Sequence, residues 1–167
     1  MNRITFAIAA VVMLSVGSEA AAREEGANCA SAITLASNTI YTADTTSTTN
    51  WMTSFGPLIS PSNDQLYTFF LSSQPYTTIT PTVSNYTFAM YVIPSCADSG
   101  TEPPPIRATG TLGVGIDLSA GSPPLTDNTR YYLAVTGAAS GGAGANGTVT
   151  FSTGFGVPVT LESFTVE

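Results

Sequence analysis

The chain of 167 residues has no histidine and no lysine, and only 9% of its residues are charged. Without histidine, neither a Ser-His-Asp nor a Cys-His catalytic arrangement can form, and without lysine a Ser-Lys pair cannot form. If both cysteines are oxidised, zinc would have carboxylates alone as ligands, which departs from its usual nitrogen and sulfur donors. A pair of carboxylates, as in glycosidases, is the remaining catalytic option. Because the aspartates lie mostly at predicted turns, we expect no enzyme activity.

Positive charge is especially scarce. The chain has four arginines and eleven acidic residues, which give a net charge of −7. Contacts with phosphate groups require a patch of basic side chains, so the composition predicts no nucleic-acid partner.

The longest apolar run lies at the N-terminus, at residues 4–17. It follows Arg3 and precedes three alanines at 20–22, which is the pattern of a signal peptide cleaved before Arg23. The run is shorter than the roughly 20 apolar residues that a transmembrane helix needs. We therefore predict that residues 1–22 are a signal peptide and that no membrane span remains after cleavage.

The two cysteines, Cys29 and Cys96, are the only ones in the chain. An even number of cysteines in an exported protein indicates a disulfide. A metal site would lack further thiols and histidines, and a redox pair normally has closer spacing. We predict one structural disulfide between Cys29 and Cys96.

The dominant hydrophobic period is two, which is typical of β-strands with one buried face. Residues 112–118 (LGVGIDL) and 131–135 (YYLAV) alternate in this way, while residues 86–93 are apolar on both faces and predict a central strand. Pro81 predicts an edge or a bulge. The fold class is therefore all-β, an antiparallel, jelly-roll-like β-sandwich of eight or nine strands with one disulfide.

Domain boundaries follow from the same pattern. Residues 23–30 are a short N-terminal lead, residues 31–154 the β-sandwich domain, and residues 155–167 a C-terminal tail or last strand. The Gly-rich segment at 137–147 could suggest a phosphate-binding loop, but no helix follows it and no lysine is present. We interpret it as a connection within a hairpin.

Four segments resemble the bacterial pre-peptidase C-terminal (PPC) domain. They are residues 29–33 (CASAI), 64–69 (DQLYTF), 88–96 (FAMYVIPSC) and 125–135 (LTDNTRYYLAV). In the last segment, Asp127 and Asn128 replace the glycine turn that is usual in the family. The resemblance implies a secreted jelly-roll β-sandwich without catalytic residues, which assists secretion, adhesion to a substrate or the folding of a neighbouring enzyme.

Three candidate site residues come from loops and turns. Trp51 lies in a Thr-rich segment, where its ring either contacts a ligand such as a sugar or covers the sandwich core together with its neighbours. Asp64 and Asp127 are weak candidates for Ca²⁺ ligands, since calcium prefers oxygen donors. Because no calcium-loop motif is present, turn formation is the favoured interpretation, and we expect no cofactor.

We therefore expect a non-catalytic binding or adhesion module, secreted or held at the cell surface or in the periplasm of a bacterium. Its partner would be a protein or a surface polysaccharide. Two alternatives stay open. The first is a structural subunit that self-assembles by strand addition through residues 157–166 into a surface polymer. The second is a carbohydrate-binding accessory protein.

Overall fold

The computed structural model describes residues 25–60, 62–71, 77–97, 100–119, 124–138 and 145–155. The predicted signal peptide (1–22) and the C-terminal residues from 156 onward lie outside this part of the chain. Within it the fold is all-β, with one short 3-10 helix at Cys29–Ser31 and twelve strands. The strands are β1 (Ile33–Thr34), β2 (Ile40–Asp44), β3 (Ser54–Phe55), β4 (Leu58–Ile59), β5 (Asp64–Phe70), β6 (Thr77–Ser84), β7 (Phe88–Ile93), β8 (Thr101–Glu102), β9 (Arg107–Thr109), β10 (Ile116–Asp117), β11 (Arg130–Gly137) and β12 (Thr148–Phe155).

Two larger sheets pack face to face as a sandwich. One has five strands in the order β1-β5-β11-β7-β9, and the other has four in the order β10-β6-β12-β2. Their facing side chains form one buried cluster, in which the Tyr67 ring of β5 meets the Phe151 ring of β12 edge-on at 5.2 Å between centroids. The period-two pattern of β5 and β11 supplies this core, because every second side chain points between the sheets.

Successive long strands alternate between the two sheets. The chain passes from β5 in the five-stranded sheet to β6 in the four-stranded sheet and back to β7, and later from β11 to β12. This alternation agrees with the jelly-roll-like architecture expected from the sequence. The two larger sheets together contain nine strands, as predicted, but the total of twelve in the described residues exceeds the prediction. The three additional strands, β3, β4 and β8, form a small sheet of their own.

This small sheet and the loop before it form a cover layer, which we define as residues 45–60 together with β8. Met52 and Phe55 are fully buried in the cover layer and pack against Leu66, Ile93 and Ala134. These three residues lie on the outer face of the five-stranded sheet, because their neighbours in sequence point into the sandwich core. The outer face of β5 and β7 is apolar because the cover layer packs on it.

Four further expectations have clear outcomes. The prediction of β7 as a central strand is confirmed, since it lies between β11 and β9. Pro81 was expected at an edge or a bulge, and it adjoins a bulge in β6, where the register with β12 shifts between Thr150 and Phe151. The prediction of a strand over residues 112–118 is wrong in its extent: β10 has two residues, and Leu112 and Val114 are 45% and 54% exposed.

The hairpin interpretation of the Gly-rich segment is also wrong. β11 belongs to the five-stranded sheet and β12 to the four-stranded sheet, so the segment crosses between sheets. The turn ahead of β11 has Asn128 at φ 55°, a left-handed conformation in which asparagine replaces the glycine usual for such turns.

The disulfide between Cys29 and Cys96 is confirmed, with a Cα–Cα distance of 5.7 Å across 67 residues of sequence. It fixes the N-terminal segment against the end of β7. Backbone hydrogen bonds add to this attachment, since the Leu66 N–H donates to Gly26 O at 2.7 Å. Among the described residues, no helix has the length and apolar character needed to cross a membrane.

Candidate binding groove

An open groove lies on the outer face of the five-stranded sheet, beside the cover layer. It has a volume of about 350 Å³, and β7, β9, the turn after β9 and the end of β11 line it. The floor of the groove lies close to the backbone of the sheet, because the side chains of Ala89, Ala108 and Ala138 are only methyl groups. Tyr91 and Ala108 are directly paired across β7 and β9, which places both side chains on the same face.

Tyr91 is the one large side chain on this outer face of β7 that borders the groove. Its ring packs against Phe55 of the cover layer, with 4.9 Å between centroids and 40° between planes. Phe55 is fully buried, so it holds the tyrosine ring in place. Partial burial raises the pKa of the Tyr91 hydroxyl, which therefore stays protonated and available as a hydrogen-bond donor.

The groove presents hydroxyl groups and carries no charge. Thr87 and Thr111 line it and are exposed, and their hydroxyls form no hydrogen bond within the described part of the chain. A threonine hydroxyl both donates and accepts hydrogen bonds. Among the described residues that line the groove, none is acidic or basic. The arrangement therefore suits an uncharged ligand that has both an apolar face and polar groups.

Trp51 lies in the cover layer with 36% of its side chain exposed, while the next residue, Met52, is fully buried. Met52 and Phe55 therefore cover the outer face of the sheet, while the Trp51 ring remains accessible to solvent. Trp51 does not line the groove.

Asp64 is the first residue of β5 and is fully buried. Its Oδ2 accepts a hydrogen bond from the Met52 N–H at 2.7 Å, and its Oδ1 accepts one from Ser60 Oγ at 3.2 Å. Burial raises the pKa of this carboxyl to about 7, although these hydrogen bonds oppose the shift. Both oxygens are directed at hydrogen-bond donors of the cover layer, so Asp64 anchors that layer to the sheet.

Asp127 lies on an exposed turn at the opposite end of β5, where the neighbouring Asn128 N–H donates to Leu71 O at 2.7 Å. A strand of seven residues separates the two aspartates by about 20 Å. The structure therefore does not bring Asp64 and Asp127 together, and they form no joint calcium site.

One group of three potential metal ligands occurs among the described residues, formed by Cys29, Cys96 and Glu102 within 4.8 Å of one another. The two sulfurs are bonded to each other in the disulfide. Glu102 is buried, and its Oε2 accepts a hydrogen bond from the Ala97 N–H at 2.8 Å. The carboxyl group thus fixes the backbone next to the disulfide.

Comparisons of the chain with family models, with curated proteins and with solved structures gave no match.

The sequence did not reveal the groove. The apolar run of β7 favoured a strand buried on both faces, but its outer face is covered only in part. Small residues at 89, 108 and 138 leave the space, and they come from three separate strands or strand ends. Since periodicity describes one strand at a time, only the strand order could bring these residues together.

Proposed function

We propose that the protein is an exported, non-catalytic binding module that acts at the bacterial surface or in the extracellular space, and that the groove beside Tyr91 is its contact site. The single observation that supports this best is the groove itself, with its rigid aromatic ring and with threonine hydroxyls that have no hydrogen-bond partner among the described residues. Such convergence of an apolar surface with a few polar groups is typical of ligand sites.

The export part of the proposal rests on the signal-like N-terminus and on the disulfide, which persists in oxidising compartments. The non-catalytic part is supported by the roles of the buried carboxylates. Asp64 and Glu102 each accept a hydrogen bond from a backbone N–H and so serve the structure.

Membership of the PPC domain family is part of the same proposal. Two of the segments that carry the resemblance, at 64–69 and 125–135, contribute β5 and β11, which pair in antiparallel register. The two segments are thus neighbours in one sheet, which supports a shared fold and leaves the accessory role as part of the proposal.

The proposal is tested by filling the groove. Ala108 is exposed on its floor, so we expect Ala108→Trp to abolish binding of the exported protein to cell-envelope material while leaving the fold intact. Thr150→Trp, on the outer face of the four-stranded sheet, is the matched control and should bind as the unmodified protein does. Cosedimentation with envelope fractions measures both. Undiminished binding by Ala108→Trp would rule out the groove as the contact site.

Self-assembly by strand addition is a second candidate function. It is favoured by β2, which lies at the end of its sheet and exposes 73% of Ile40. An exposed apolar edge can template pairing with another chain. Size-exclusion chromatography and electron microscopy distinguish the two: multimers that Ile40→Lys dissolves would favour assembly, whereas a monomer favours the binding module.

A further inference from the structure

We infer that the ligand of the groove is a neutral saccharide, held by stacking of one sugar ring on Tyr91. This inference rests on the proposed function and names the ligand class of the same site.

The charge of the protein restricts the class of ligand. None of the described lining residues is a carboxylate, arginine, lysine or histidine, and the whole chain has a net charge of −7. An anionic ligand, such as a phosphate ester or an acidic polysaccharide, would find no cation in the groove and would be repelled by the protein as a whole. A cationic ligand would lose its hydration in the groove without gaining a carboxylate. The chemistry thus selects an uncharged ligand.

The shape and polarity of the groove match those of a sugar ring. The C–H groups on one face of a pyranose ring form a flat apolar patch, which matches the electron-rich face of an aromatic ring. The sugar hydroxyls around that patch both donate and accept hydrogen bonds, as do the hydroxyls of Thr87 and Thr111. A purely apolar ligand would leave these threonine hydroxyls without partners.

The groove is preorganised for a ligand. Tyr91 is already held by Phe55, so the ring loses little rotational freedom when a ligand binds. The floor of alanine methyl groups lets a ring approach the sheet closely. The volume of about 350 Å³ is near the lower end of the range of ligand sites, roughly 300–1,000 Å³, and the groove is open, so it suits a short stretch of a longer chain.

The test compares neutral polysaccharides (glucan, mannan, xylan) with acidic ones (alginate, polygalacturonate) by affinity electrophoresis of the full chain purified after export. We expect retardation by at least one neutral polysaccharide and by no acidic one. Tyr91→Ala should weaken the binding about tenfold because the stacking surface is lost. Tyr91→Phe keeps the ring and should retain most of the affinity.

Trp51→Ala is the matched control, since Trp51 is an exposed aromatic residue outside the groove. We expect it to bind as the unmodified protein does. Equal binding by Tyr91→Ala and the unmodified protein would overturn the inference, as would retardation by acidic polysaccharides alone or by none.

The two proposals fail separately. If envelope binding is lost in Ala108→Trp but no neutral polysaccharide binds, the groove takes another class of ligand, such as a peptide strand added to β9. The saccharide inference is then wrong while the proposed function stands. If envelope binding survives in Ala108→Trp, the proposed function itself is wrong.

Discussion

Asp64 combines complete burial with hydrogen bonds to both carboxyl oxygens. In the folded protein its pKa is raised to about 7 from the ordinary 3.8, because burial disfavours the charged form. The folded state therefore binds a proton more tightly than the unfolded state. Between about pH 4 and pH 7, stability should fall as the pH rises, by up to about 4 kcal/mol.

We expect Asp64→Asn to remove this pH dependence. The asparagine amide oxygen can still accept from the Met52 N–H, and the group no longer ionises. Denaturant unfolding at pH 4.5 and pH 7.5 measures the effect. The unmodified protein should be more stable at the lower pH, and the variant should have nearly equal stability at both.

Asp44→Asn is the control for this experiment. Asp44 is also an aspartate at one end of a strand, but hydrogen bonding by the Thr46 hydroxyl lowers its pKa. The stability that the Asp44 carboxylate contributes is lost only at more acidic pH. The variant Asp44→Asn should therefore still become less stable as the pH rises from 4 to 7. A pH dependence that persists in Asp64→Asn would contradict the assignment.

The role of Asp64 was only partly predictable from the sequence. Its position before an alternating strand indicated a turn or cap, and calcium binding was a weak alternative. The burial depends on the cover layer, whose Ser60 and Met52 meet Asp64 from an irregular loop with no hydrophobic period. Sequence pattern does not encode such a contact.

Among the elements, the cover layer is the part of the fold that most affects the site. It is short in regular structure, yet Phe55 within it holds Tyr91 at the groove. The turn between β3 and β4 needs Gly56, which has φ 58° and lies so close to Pro104 that a Cβ would be 2.7 Å from its ring. The layer is thus specified by a few buried contacts rather than by strand propensity.

We expect Met52→Ala to destabilise the protein by about 2–5 kcal/mol, because it leaves a cavity between the cover layer and the sheet. Met52 is fully buried, whereas Ile59 in the same layer is 74% exposed. Ile59→Ala is therefore the matched control, with an expected change within about 0.5 kcal/mol. Urea denaturation measures both variants. Equal effects would show that the layer does not pack on the sheet.

The alternating strands of the sandwich were predicted well because one apolar face gives a clear period. β11 keeps the alternation predicted over residues 131–135, with Tyr131, Leu133 and Val135 in the buried cluster between the sheets. The failures have physical reasons. Residues 112–118 alternate, but residues 112–113 form a turn with Gly113 at φ 75°, and only Ile116 and Asp117 pair in register with β6. The two-residue strands of the cover layer are too short to produce a period.

In the whole molecule, the disulfide links the N-terminal segment to the end of β7. Cross-linking residues that are 67 apart restricts the unfolded chain, which should stabilise the fold by about 4 kcal/mol. We expect the double variant Cys29→Ser with Cys96→Ser to lose about this amount in denaturant unfolding. The unmodified protein unfolded with a reductant should match the double variant, and unchanged stability in both would contradict a structural role.

The net charge follows directly from the sequence, and it restricts the class of ligand. A net charge of −7 disfavours the approach of anionic partners to the molecule as a whole. The prediction that nucleic acid is not a partner rests on composition alone. The choice of one groove over the rest of the surface required the arrangement of strands.

The most direct test is to map the amides that a bound saccharide perturbs in the nuclear magnetic resonance spectrum of the full chain. A short neutral oligosaccharide should shift the amide signals of Tyr91, Ala108, Thr111 and Ala138, and leave those around Trp51 and on the four-stranded sheet unchanged. Shifts centred on Trp51, or no shifts in the groove at saturating oligosaccharide, would contradict the account.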